Sequence, residues 1–452
     1  MMERGLETTF QEILDMAQNK RLVEIKERFC DMNEVDIAGI LERLPNPHTL
    51  MAFRVMPKED AAEVFAHMST DQQQHIIDSI TDSEVSDIID ELFLDDLADI
   101  LEELPSNVVD RVMRNTNADK RERINQLLLY PPNSAGSIMT SEFIDLRQGM
   151  SVGEAFGRIR TLGRDMETIY TCFVIDGERR LEGVVSIREL LLADHDERLA
   201  GIMDTNVIST HTLEDQERVA ELFSRYDFLN LPVVDSEMRL VGIVTVDDVL
   251  DVISREATED ISKMGAVTPS GKSYMRTGVM DIYKSRIPWL LVLMISATLT
   301  GFVISAYETA LDAHIVLAAF IPMLMDTGGN SGSQSAVIII RAMSLGEVDY
   351  GDYFRILWKE IRVAVLCGVT LAFANFLRIA FATDTDMMVA AAVALTLVGT
   401  VLCSKAFGCS LPILARRIGV DPAVMSAPVI TTFVDTISLI LYFNIASLLL
   451  GI

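Results

Sequence analysis

A chain of 452 residues with a mean hydropathy of +0.29 is too apolar for an ordinary soluble enzyme, yet 23% of it is charged. Both facts hold if acid and hydrocarbon are segregated: residues 1–286 carry 55 Asp and Glu against 30 Lys and Arg, residues 287–452 only 11 against 8. The acidic half, net −25, excludes nucleic acid and anionic lipid headgroups as its partners, because both would be repelled, and can concentrate cations.

Cys30, Cys172, Cys367, Cys403 and Cys409 show no CxxC or metal-knuckle spacing, which fits reduced thiols facing a cytosol. The opening MMERGLETTF has no apolar h-region, so no cleaved signal peptide is expected and the acidic half is expected to stay cytosolic. Residues 1–130 read as wholly helical, with short apolar stripes and polar turns. An acidic-apolar-small pattern starts at Asp36, Asp60 and Glu84, 24 residues apart, and returns after 12 at Asp96. Units this short cannot each bury a core, so a stacked helical superhelix is expected. In LFLDDLADILEELP, Asp95, Asp96 and Asp99 share one helix that stops at Pro105, and spacing alone reads them as a solvated face ahead of a metal site.

Pro131-Pro132-Asn133 opens a second region. Between about 136 and 253 a tandem repeat runs strand, helix, strand, turn, strand, helix. Ser137-Ile138-Met139-Thr140 recurs as Gly201-Ile202-Met203-Asp204, and Gly183-Val184-Val185-Ser186 as Gly242-Ile243-Val244-Thr245. This resembles a pair of CBS domains, which implies an adenosine-nucleotide pocket or a dimerisation scaffold. A pocket needs a hydroxyl and a carboxylate at the strand end; Thr245 and Asp248 supply them in the second copy, while the first has Ser186 and Glu189. The following helix places Asp247, Asp248, Asp251, Glu256, Glu259 and Asp260 on continuous turns. Like charges at i, i+3 and i+4 destabilise a helix by a few tenths of a kcal/mol each, and counter-cations relieve that. An exposed acidic helix and a metal-sensing one fit equally. A turn is expected at 269–271.

Five spans are expected, at 287–305, 314–341, 363–379, 387–407 and 425–450. Lys284 and Arg286, then Arg355, Lys359 and Arg362, then Lys405, Arg416 and Arg417 mark the inner side, giving N-terminus in and C-terminus out. In the second span the apolar run 315–325 covers only about 17 Å of helix. The polar, Gly-rich stretch 326–335 interrupts it, which a membrane tolerates where backbone is buried in protein or lines water. Small-residue helix packing is the alternative, but Asn330 and Gln334 at i, i+4 favour a pathway lining. The last span carries one ionisable residue, Asp435, about 15 Å along the helix from Met425. A charge at mid-membrane costs at least ~2.5 kcal/mol unless water, a partner or an ion faces it. Pro428, Thr431, Asp435, Ser438 and Tyr442 share one face. A cation site is the preferred reading, a protonated interhelical contact the other. No Ser/His/Asp set, phosphate-cradling GxxxxGK or His-rich cluster points to an enzyme.

Three stretches, VTVDDVLDVISREATEDISKMGAV, GGNSGSQSAVIIIRA and GVDPAVMSAPVITTFVDTISLI, resemble the MgtE family of magnesium channels, and the likeness covers essentially the whole chain. It implies a multidomain protein: an all-α superhelical N-domain (1–130), an α/β tandem CBS pair (131–253), an acidic connecting helix (247–280) and a five-span α-helical pore domain (281–452). It implies a homodimer in a bacterial inner membrane, in contact with lipid, with one pore on the two-fold axis. Asp435, Thr431, Thr432, Ser438, Asn330 and Gln334 would line that pore and select hydrated Mg2+. Cytosolic Mg2+ on Asp96, Glu217, Asp227, Asp248, Asp251, Glu256, Glu259, Asp260 and Asp421 would hold the channel shut, and ATP would act as regulator in the pocket around Thr245 and Asp248. Another divalent cation, Co2+ or Mn2+, is the nearest alternative within the family, since one carboxylate discriminates poorly. An anion channel is disfavoured by the acid at mid-span; a membrane-anchored nucleotide sensor that transports nothing is the rival from a different class.

Overall fold

The computed structural model describes residues 2–269, 274, 277–382, 386–425 and 427–451, and forms two compact units, Met1–Val252 and Ile253–Ile452. Ser270 and Gly271 of the expected turn, Thr383 to Thr385 between the third and fourth expected spans, and Ser426 lie outside the described residues.

The first unit begins with ten short helices, from Met2–Gln18 to Ala118–Leu127. The repeat in the sequence is a helix-start signal. Asp36, Asp60, Glu84 and Asp96 are each the third residue of their helices, Glu34–Leu41, Lys58–Ala66, Asp82–Glu91 and Leu94–Glu103. Acid in a first turn complements the positive end of the helix dipole, and Glu84 also completes a capping box with Thr81. The apolar-small residues that follow (Ile37 and Ala38, Ala61 and Ala62, Val85, Leu97 and Ala98) are buried. Twelve residues make one helix and its turn, so 24 bring the chain back to the same side. There Glu34–Leu41, Lys58–Ala66, Asp82–Glu91 and Ser106–Asn115 pack in succession. Lys120, buried, donates to the carbonyls of Ile89 (2.6 Å), Asp90 and Leu92, where the helix Asp82–Glu91 ends.

The CBS region forms two three-stranded sheets: β1 (Phe143–Leu146), β2 (Thr168–Ile175) and β3 (Leu181–Ser186), then β4 (Thr210–His211), β5 (Asn230–Val234) and β6 (Leu240–Thr245). In each, the first strand is parallel and the third antiparallel to the middle one. The copies complete one another. Thr140 of the first pairs with Ile243 in β6 through reciprocal backbone bonds of 2.8 and 2.9 Å, and Asp204 of the second pairs with Val184 in β3. That crossing explains both repeat glycines. A Cβ on Gly242 would stand 2.8 Å from the Thr140 carbonyl oxygen, and one on Gly183 would stand 3.0 Å from that of Asp204. The strand-to-helix junctions are N-caps: Ser186 and Glu189 form a full capping box, and Thr245 Oγ1 donates to Asp248 Oδ2 at 2.6 Å.

The acidic connecting helix runs from Val246 to Met264. Beyond it, among the described residues four helices are long and apolar enough to cross a membrane: Val279–Ala306, Tyr350–Phe381, Met387–Arg417 and Pro422–Leu450. The Gly-rich segment differs from expectation. It is not broken, but forms a continuous 24-residue helix, Ile321–Ser344, preceded by a 3-10 turn at Ile315–Phe320. At 1.5 Å per residue that is about 36 Å. Its glycines cost helix propensity, about 1 kcal/mol each, but they let other helices touch its backbone. A Cβ on Gly408 would lie 2.3 Å from the Gly332 carbonyl oxygen, and Ser404 Oγ donates to the Gly328 carbonyl. The helices Ile321–Ser344, Met387–Arg417 and Ala427–Leu450 pack on one another, Tyr353–Ala382 packs on Met387–Arg417, and Val279–Ala306 lies against Ala427–Leu450. A second correction concerns Lys405. It does not flank a loop but sits 5% exposed inside the 31-residue helix Met387–Arg417, and so gives no information on sidedness.

Candidate functional site

Asp435 is half-buried on the helix Ala427–Leu450, and its charged neighbour is Asp326 of the Gly-rich helix. Asp326, Asn330 and Gln334 are all exposed, at i, i+4 and i+8, so the Gly-rich helix carries an uninterrupted polar stripe. Its opposite face, with Gly328, Gly332 and Ser335, is buried against the other helices. Thr431 is packed on Gly329, where a Cβ would stand 2.8 Å from its methyl group. Thr431 and Thr432 both return their hydroxyl protons to the Pro428 carbonyl, at 2.9 and 3.1 Å, leaving oxygen lone pairs as acceptors. The expected polar face divides. Ser438 is 1% exposed against Gly328, and Tyr442 is fully buried, donating to the Leu317 carbonyl at 3.0 Å. Within one chain these two are packing groups. Sequence reasoning misses Asp326 as a member of this polar stripe because it reads there as the start of a break; the four-residue spacing to Asn330 is the signal that finds it.

A second concentration of acid lies in the first unit. Asp95 and Asp96 in the helix Leu94–Glu103, Glu167 before β2, and Asp247 and Asp248 at the head of the connecting helix are mutually close enough to alter one another's ionisation. Burial, then Asp248 and Glu167, hold Asp95 well above the usual carboxylate range. Burial, then Asp248, Asp96 and Asp247, push Glu167 up to about 8. Asp248 is pushed up to about 7 by burial, against the Thr245 hydrogen bond that lowers it. Glu167 Oε2 is buried and accepts no hydrogen bond among the described residues. Neither Asp95 nor Glu167 stands out as a ligand in the sequence. Spacing assigns Asp95 to a solvated face, yet it is only 7% exposed. Glu167 lies in the loop between the helix Val152–Leu162 and β2, outside both repeat motifs, and no local pattern marks it.

The other expected ligands do not share one place. Glu256, Glu259 and Asp260 stand on the second half of the connecting helix near Asp421; Lys263 Nζ bonds Asp421 Oδ2 at 2.6 Å and also pairs with Glu259. Burial, then Asp421, raises Asp260. Glu217 and Asp227 are exposed at opposite ends of the helix Gln216–Tyr226, about 15 Å apart along its axis, so they do not meet. Asp251 is exposed and bears on Asp96. Among the described residues no three His, Cys, Asp or Glu side chains are grouped to ligate a metal directly. Mg2+ keeps several of its waters and is held through them by one or two carboxylates, so paired acids at longer range suit it.

Apolar helices of membrane length, an acid among them, and a CBS pair joined by an acidic helix define a membrane transport protein with a large acidic part outside its apolar helices. The family model described as "Divalent cation transporter" matches residues 321–445, the "MgtE intracellular N domain" matches 32–133, and CBS domains match 135–196 and 199–255. The magnesium transporter MgtE of Thermus thermophilus is 38% identical over 99% of both chains, and that of Bacillus subtilis 30% over 96% of both. The solved cytosolic domain of the Mg2+ channel MgtE in complex with ATP is 38% identical, with a TM-score of 0.51, over 54% of this chain and 99% of its own. The chain belongs to the MgtE family of magnesium transporters.

Proposed function

We propose that this chain passes hydrated Mg2+ down its gradient through a pathway lined by the Gly-rich helix and the last helix, and that cytosolic Mg2+ closes it. The observation that supports the reading is the exposed stripe Asp326, Asn330 and Gln334 on the Gly-rich helix, with Asp326 the charged neighbour of the half-buried Asp435 on the last helix. Such groups need water, an ion or a second copy facing them, and a homodimer with the pathway on its axis supplies all three. We take the Gly-rich helix as the fifth span, keep the boundaries 1–130, 131–253, 247–280 and 281–452, and place the N-terminus inside on Lys284, Arg286, Arg355, Lys359, Arg362, Arg416 and Arg417.

Closure follows from linkage: buried like charges repel until a cation bridges them, and the ion stabilises whichever state it bridges. The acids around Asp95 and Asp248 and those around Asp260 and Asp421 are the two bridging points. ATP would regulate through the second CBS copy, where it must compete with the Thr245–Asp248 bond. The chain acts as a transporter and not as an enzyme. Mg2+ flux measured with wild type and Asp435→Ala, at low and high internal Mg2+, tests both parts. Loss of flux in the variant and inhibition of wild type by internal Mg2+ support them; undiminished flux through Asp435→Ala refutes the pathway. Preferred passage of Co2+ or Mn2+ would transfer the reading to another divalent ion.

A further inference from the structure

Three polar side chains meet inside the membrane helices, away from the proposed pathway. Ser335 Oγ on the Gly-rich helix donates to Glu360 Oε2 on Tyr353–Ala382 at 2.6 Å and accepts from Lys405 Nζ on Met387–Arg417 at 3.2 Å. The Lys405–Glu360 pair is 3.8 Å apart, with side chains 7% and 15% exposed. A buried ion pair is often no more stable than an apolar pair of the same volume, whereas leaving one partner alone is strongly destabilising. The arrangement therefore penalises displacement more than it rewards formation. Adjacent helix positions differ by about 100°, so turning the Gly-rich helix by one residue would carry Ser335 out of reach of both charges. The Gly332–Gly408 contact ties the Gly-rich helix to Met387–Arg417 through backbone, and the three polar side chains add a tie to Tyr353–Ala382 as well.

We propose that Lys405, Ser335 and Glu360 form a charge clamp that sets the rotation of the Gly-rich helix, making them positioning residues for Asp326, Asn330 and Gln334. This rests on the reading of that helix as a pathway wall. The serine hydroxyl both donates and accepts, so it can serve the pair in either polarity.

The test uses the full chain in liposomes, with the more accessible cysteines Cys30, Cys367 and Cys403 changed to serine and Gln334→Cys added as reporter. Its rate of reaction with a hydrophilic thiol reagent is read beside Mg2+ flux. In Lys405→Met/Glu360→Gln, which leaves no charge unpaired, both rates should fall at least tenfold. The exchanged pair Lys405→Glu/Glu360→Lys should restore both to within threefold. A reporter that reacts in the parent and equally fast in the uncharged double variant, with flux unchanged, overturns the clamp alone. A reporter inert in the parent overturns the pathway reading and the clamp's role with it. If the double variant is not recovered from membranes, Ser335→Ala is read in its place, and an unchanged reporter rate there also overturns the clamp.

Discussion

Glu167→Gln should stabilise the first unit when the pH is high and divalent cations are absent. Burial and the neighbouring Asp248, Asp96 and Asp247 push the Glu167 carboxyl from 4.5 up to about 8. The folded unit therefore holds that proton more tightly than the unfolded chain does. The resulting stability is complete below about 4.5 and is lost as the pH rises through about 8. The gap corresponds to at most ~5 kcal/mol; since the same repulsion is shared with Asp248 and Asp95, one substitution should recover about 2–3 kcal/mol at pH 8.5. Urea unfolding of residues 1–252, followed by far-UV circular dichroism, gives the difference between variant and wild type. It should vanish by pH 4. Added Mg2+ should stabilise wild type more than the variant. Equal midpoints at pH 8.5, or a difference that persists at pH 4, would refute the account of Glu167 as an unrelieved buried charge.

Three further outcomes are expected. Gly408→Ala drives a methyl into the Gly332 carbonyl oxygen, and overpacking of this kind costs about 1–3 kcal/mol, to be seen as a lower melting temperature in detergent. Lys120→Met strips three carbonyls of their donor and should destabilise the first unit by about 2–4 kcal/mol in urea. Asp326→Asn should lower Mg2+ flux several-fold at low external Mg2+ while leaving inhibition by internal Mg2+ unchanged; unaltered flux would remove Asp326 from the pathway.

Much of the architecture is legible in the sequence because it rests on local rules. The 24-residue pattern marks helix starts at Asp36, Asp60 and Glu84, and the two Gly-x-x-Ser/Thr junctions mark strand ends and N-caps. What cannot be read there depends on partners distant in sequence. Glycines at 328, 329 and 332 look like a break because each lowers helix propensity, and only the helices packed on them explain why the segment stays helical. Lys405 looks like a flanking charge because Glu360 lies 45 positions away. Asp95 and Glu167 become site candidates only once the chain brings Asp248 to them.

The crossing between the CBS copies has a consequence for inheritance. Each sheet borrows a rung from the other repeat, Thr140 on β6 and Asp204 on β3, so either repeat alone leaves a strand edge of its sheet unpaired. Deleting either should destabilise the other, and the two repeats should be inherited together more readily than apart.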